Sequence, residues 1–135
     1  PLGQRDDGSG FSKAIEGALF VAKTDKSSVN LVKTHGSGTP VNNVAEKSAL
    51  TRSLDDFIAT SYKQRIGHTM GASGLLETGL LLKTTKNNFV PKIPNRTSND
   101  DVFLSHDAIS PSGNILSLAA GMGNIYSAAI FSVEL

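Results

Sequence analysis

The chain of 135 residues contains no cysteine. It therefore forms no disulfide and offers no thiol nucleophile of its own. No run of like charge reaches five residues, and the formal net charge is +1. Binding to nucleic acid or to a membrane surface through bulk charge is not expected from such a balance. A membrane-spanning helix is absent from the pattern as well, because Thr78, Lys83 and Lys86 interrupt the longest apolar run. No signal peptide is read at the start, so a cytoplasmic location is expected. The first residue is Pro1 and not methionine, which reads as a processed or cut chain or as a segment of something longer. What remains is a glycine-rich composition, 13 glycines with 39% hydrophobic residues. It fits one α/β domain large enough to bury a core.

Two stretches carry most of the polar chemistry. The first is Thr34 to Glu46, THGSGTPVNNVAE, and the second is Ser61 to Leu82, SYKQRIGHTMGASGLLETGLLL. Each sets one histidine, His35 or His68, beside glycines and small hydroxyl residues, and we expect the two to face one site. In the second stretch, 71–86 reads as a helix with Leu75, Leu76, Leu80 and Leu82 on a surface that is apolar almost all round, the pattern of a buried helix. Glu77 lies inside that run. A buried carboxylate needs a partner, and Lys63 is the nearest candidate. His68 precedes the helix start, with Thr69 as a cap, and a helix N-terminus disfavours protonation of a nearby imidazole. Each residue also has an ordinary explanation. A lone histidine is more often structural, a Lys/Glu pair more often a simple ion pair, and glycines more often turn devices.

The remainder reads as a frame. A loop over 1–10 leads to a helix from Ser12 to about Lys23, with Ile15, Ala18, Leu19 and Ala22 on one face. VNLVKT, 29–34, reads as a buried strand, and the glycine loop that follows lies at its C-terminal end, where open α/β sheets place ligands. Asn42 or Asn43 caps a second helix to about Phe57. Residues 61–63 form a short strand, and 87–101 a surface loop with Pro91 and Pro94. The tail predicts strand, glycine turn and strand over 114–120, 121–124 and 125–135. So few strands cannot cover an all-round apolar helix, so a further half, in the same chain or a second one, is expected to complete the core.

These motifs together resemble the C-terminal half of the β-ketoacyl-acyl-carrier-protein synthases, the condensing enzymes of fatty-acid and polyketide assembly. The family's H-G-T-x-T-P-x-x-D-x-x-E is matched by His35, Gly36, Ser37, Thr39, Pro40 and Glu46, with Asn43 at the aspartate. Its K-x-x-x-G-H-x-x-G-A-A-G-x-x-E is matched in step by Lys63, Gly67, His68, Gly71, Ala72, Ser73, Gly74 and Glu77. Gly121-Met122-Gly123-Asn124 matches the C-terminal glycine motif more loosely, with Met122 in place of a phenylalanine that gates acyl entry. The resemblance implies a thiolase-like α/β fold over 1–135, with a mixed sheet and a buried central helix.

The activity it implies is decarboxylative Claisen condensation of malonyl-ACP with an acyl thioester, an acyltransferase reaction. His35 and His68 are then the oxyanion donors, Lys63 orders the site with Glu77, and the Met122 N–H serves the acyl thioester oxygen. Ser37 and Thr39 hold the phosphopantetheine arm of acyl carrier protein. No covalently bound cofactor and no metal are implied. The implied partners are an N-terminal half with the nucleophilic cysteine and acyl carrier protein, in a dimer, with neither nucleic acid nor membrane. The alternative is a non-catalytic, chain-length-factor-like partner of a ketosynthase, which commonly loses the residues present here. A phosphate- or nucleotide-binding module is disfavoured, since GSGTP lacks the spacing and lysine of a P-loop. A thiolase would need a cysteine near the C-terminal glycine motif.

Overall fold

The computed structural model describes residues 7–96 and 102–132. A four-stranded mixed sheet is its centre, built from β1 (Val29–Lys33), β2 (Ile58–Thr60), β5 (Asn114–Gly121) and β6 (Ile125–Phe131) in the order β2-β1-β5-β6. β1 runs parallel to both β2 and β5, and β6 returns antiparallel along β5. Beyond β2, Phe103 forms a single parallel bridge with Ala59. A two-stranded antiparallel ladder of β3 (Phe89–Val90) and β4 (Ala108–Ile109) stands apart.

The strand period of two divides the side chains between two faces. Val32, Leu116 and Leu118 meet Phe11 and Ile15 of α1 (Ser9–Ala22) and Ala45, Ala49 and Leu50 of α2 (Pro40–Ser53) in the larger core. Leu31 and Ile115 point the other way, into a smaller cluster with Tyr62, Leu81, Val90 and Leu104 on the side of α4 (Ser73–Lys86). Alanines at 45 and 49 let the two outer helices approach closely.

Several elements differ from expectation for local reasons. α1 starts at Ser9, not Ser12, after Gly8 in the left-handed region. α2 is capped by Thr39 rather than Asn42 or Asn43: the Thr39 hydroxyl accepts from the Asn42 N–H at 3.3 Å, and Pro40 takes the first helical position, where its missing N–H costs nothing. The strand expected at 61–63 is instead β2, whose pairing with β1 ends at Thr60. Lys63 opens a four-residue helix, α3 (Lys63–Ile66). The loop expected over 87–101 contains β3, while its last residues, like 133–135 of the final strand and 1–6 of the entry loop, lie outside the described residues.

α4 packs on the sheet as a central helix, with a face that the apolar pattern did not single out. Its sheet-facing side is polar: Ser73, Glu77, Thr78 and Thr85 are buried with Leu81. Leu75 and Leu76 are on the open side, at 84% and 46% exposure, while Leu80 and Leu82 pack half-buried against the smaller cluster. The sheet end beneath the helix carries Lys33 and Ser117, so hydrogen bonding and ion pairing select the inward face, and this chain leaves the apolar face uncovered. Among the described residues no helix is long and apolar enough to cross a membrane.

Candidate active site

His35 stands just after β1, and the chain clamps its peptide from both sides. The Glu46 carboxylate, one helical turn and a half into α2, accepts the N–H groups of His35 and of Gly36, the latter at 2.9 Å. The Asn42 side-chain amide donates to the same carboxylate at 2.7 Å. Burial pushes Glu46 towards holding a proton, and the three donors pull the other way. Burial prevails and holds the carboxyl above its usual range, while both of its oxygens act as acceptors. On the other side the Lys63 ammonium donates to the His35 carbonyl at 2.6 Å and to Glu77 at 2.9 Å and 3.2 Å. The Ser73 hydroxyl also donates to Glu77. Gly36 is required where it stands: it has φ +59°, and a Cβ there would come within 2.2 Å of the Ser61 hydroxyl.

The imidazole of His35 accepts at Nδ1 from the Ala120 N–H on β5, at 3.2 Å. The ring proton of the neutral form is therefore on Nε2. Burial, then the charges of Lys63 and Lys33 and the nearby His68, lower its pKa from 6.5 to about 4. His68, in the turn between α3 and α4, is arranged alike. Its Nδ1 accepts from the Met70 N–H at 3.1 Å, leaving Nε2 to carry the proton. The backbone of Met70 is in the left-handed region, at φ 53°. The two rings lie edge to face, with centroids 5.9 Å apart.

Both rings line one cleft of about 640 Å³. Its far wall is the β5–β6 turn with Gly121 and Met122, and its floor is Gly71, Ser73 and Gly74 at the start of α4. The expectation of two histidines on one site therefore holds in the geometry, as does the pairing of Lys63 with Glu77. Met122 lines the cleft with its side chain largely exposed. Ser37 and Thr39 are not among the lining residues. Ser37 lies 3.3 Å from the Thr39 hydroxyl, which is engaged as the α2 cap. The Thr69 side chain makes no cap: its hydroxyl is buried with no hydrogen-bond partner among the described residues.

The residues that sequence reasoning missed are those that set the histidines' tautomers and charges. They are the backbone N–H groups of Ala120 and Met70, for which no side-chain signal exists, and Lys33. Lys33 did leave a signal, a lysine ending a largely apolar strand two residues before His35.

Comparison with known proteins is consistent with this geometry. Residues 3–97 match the family described as beta-ketoacyl synthase, C-terminal domain.

The chain belongs to that family.

As a beta-ketoacyl synthase C-terminal domain it is 30% identical over 139 residues to the tetracenomycin polyketide synthase ketoacyl synthase alpha subunit of Streptomyces glaucescens, covering 96% of this chain and 33% of that protein. A beta-ketoacyl synthase from Burkholderia phymatum superposes with a TM-score of 0.90 at 25% identity, over 100% of this chain and 35% of that one. A type II PKS acyl-carrier protein in complex with its ketosynthase bound to the hexaketide gives a TM-score of 0.84 at 26% identity, over 98% of this chain and 35% of the matched one. The ketosynthase domain described here thus spans about a third of the length of the curated relatives it matches. Its mixed sheet and helical layers are those of the thiolase-like fold of these neighbours.

Proposed function

We propose that this chain supplies the carbanion-stabilising half of a β-ketoacyl-ACP synthase, an acyltransferase of fatty-acid or polyketide-type synthesis. A cysteine in an N-terminal half outside this chain holds the acyl group as a thioester. Malonyl on the phosphopantetheine arm of acyl carrier protein enters the cleft between His35 and His68. Its carbon–carboxylate bond breaks, carbon dioxide leaves, and the electron pair moves onto the malonyl thioester as an enolate. The Nε2–H groups of His35 and His68 donate to the enolate oxygen. The enolate carbon then attacks the acyl thioester carbonyl, whose oxygen meets the Met122 N–H, and the cysteine thiolate is expelled.

One observation carries the reading: two imidazoles, each with Nδ1 occupied by a backbone N–H, present Nε2 to the same cleft. Preorganised neutral donors of this kind stabilise a developing oxyanion without reorganisation, and losing one costs about 3–4 kcal/mol. Lys63 with Glu77 acts as a positioning pair by holding the His35 carbonyl. Ser37 and Thr39 lie at the edge of the same loop, where the arm would pass. The uncovered leucines of α4 support the missing half as the cover of that face, and the working assembly is a dimer paired through that half. Retention of His35, His68, Lys63 and Glu77 in working contact favours this reading over a non-catalytic chain-length-factor-like partner.

The test is His68→Ala in the complete enzyme. Malonyl decarboxylation is expected to fall by about 100- to 1,000-fold, while acyl transfer to the cysteine persists. Decarboxylation at the wild-type rate would remove His68 from the reaction.

A further inference from the structure

Lys33 ends β1 two residues before His35, on the α4 side of the sheet with Leu31. Its side chain is fully buried, and its Nζ makes no hydrogen bond among the described residues. The nearest opposite charge is Glu77, with Oε1 at 4.0 Å. That carboxylate already accepts from Lys63 and Ser73. A buried ammonium so loosely held is costly, and an apolar residue of the same length would be cheaper for the fold. β2 and β5, which flank β1, carry no ionisable side chain; the register partners of Lys33 are Thr60 and Ser117. The ionisable groups around it are Glu77 from α4, Lys63 from α3, Glu46 from α2, and His35 at the cleft.

We propose that Lys33 is a positioning residue: its ammonium shares Glu77 with Lys63, adds to the positive field that keeps His35 neutral, and places a charge behind the cleft where anionic charge develops. The part concerning reaction rate rests on the histidine-donor reading above. A structural ion-pair partner alone would be held by direct hydrogen bonds, as Lys63 is. Lys33 acts at longer range, on Glu77 and on His35. Burial, against the pull of Glu77 and with the push of Lys63, brings it down from 10.5 to about 8. The charge is therefore lost in mild alkali. As it goes, the anion in the cleft loses stabilisation and His35 takes a proton more readily.

The experiment uses the complete enzyme, wild type and Lys33→Met, with malonyl decarboxylation followed between about pH 6 and 9.5 and His35 titrated by NMR. Wild type is expected to lose rate above a midpoint near 8, the value that burial sets for Lys33. Lys33→Met should be slower at pH 7 by about three- to tenfold, the worth of one charge acting at a distance through a high effective dielectric, and should lack the alkaline midpoint. Its His35 midpoint should rise by about one pH unit, and its unfolding midpoint should be unchanged or higher. A wild-type rate flat through pH 9.5, or a His35 midpoint unmoved by the substitution, overturns the proposal. A raised His35 midpoint in an enzyme that decarboxylates nothing at any pH would sustain the action of Lys33 on His35 and sink the donor reading instead. Should Lys33→Met fail to fold, wild-type lysine titration decides: a lysine signal titrating near 8 is expected, and all lysines near their ordinary 10.5 overturns it.

Discussion

The turn after β1 and the turn between α3 and α4 deliver the same side chain to the same cleft by different means. His35 is built into the core: it is 4% exposed, its peptide is gripped by Glu46 and Lys63, and its ring is fixed by β5. His68 is exposed and held by one N–H from Met70, two residues on. The first turn couples protonation and position to the stability of the whole sheet. The second is local, so its histidine can move without disturbing the sheet. The cleft thus combines one rigidly held imidazole with one held by a single local contact.

The comparison can be broken most forcefully through Glu77. Glu77→Ala leaves Lys63 and Lys33 buried without their shared anion, and is expected to destabilise the complete protein by about 3–5 kcal/mol, read by denaturant unfolding. A loss below about 1 kcal/mol would show that the rigid side does not depend on this carboxylate.

Next comes pH. The folded pKa of His35 is lowered to about 4 from 6.5, so between those values the unfolded chain binds the extra proton. Stability from this residue is complete above about pH 6.5 and is lost as the pH falls towards 4, by up to about 3 kcal/mol. The difference in unfolding free energy between wild type and His35→Asn, measured from pH 7 to 4, should shrink by that amount. A difference independent of pH would place His35 in a far wetter setting.

The smallest effect separates the two hydroxyls of the first turn. Thr39→Ala removes the α2 cap and should cost about 1 kcal/mol of stability. Ser37→Ala, which caps nothing, should stay within about 0.5 kcal/mol of wild type and raise KM for malonyl-ACP. If Thr39→Ala raises KM as well, its hydroxyl serves the arm in addition to the helix.

Much of this site was legible in the sequence because its residues come in two short motifs. Within each motif the spacing is set by one loop and one helix, so His35 with Glu46, and Lys63 with His68 and Glu77, could be read locally. The meeting of the two motifs was foreseen from their shared composition and from the strand end on which the first one sits. The inward face of α4 was not legible, for a physical reason: counting apolar positions around a helix does not say which side the sheet will take. With Lys33 and Ser117 on the sheet, the polar stripe of Ser73, Glu77 and Thr78 turned inward and Leu75 and Leu76 outward.

The residue types that can do chemistry here, the lack of a cysteine among them, and the two motifs that carry them were all legible in the chain. Only the tertiary structure decided their states. The proton of His35 sits on Nε2 because an N–H 85 residues away reaches Nδ1. Lys33 is a strained charge, and not a surface lysine, because β1 lies between two other strands and beneath α4. Burial and long-range contacts set proton affinities, and neither is a property of neighbouring letters in the chain.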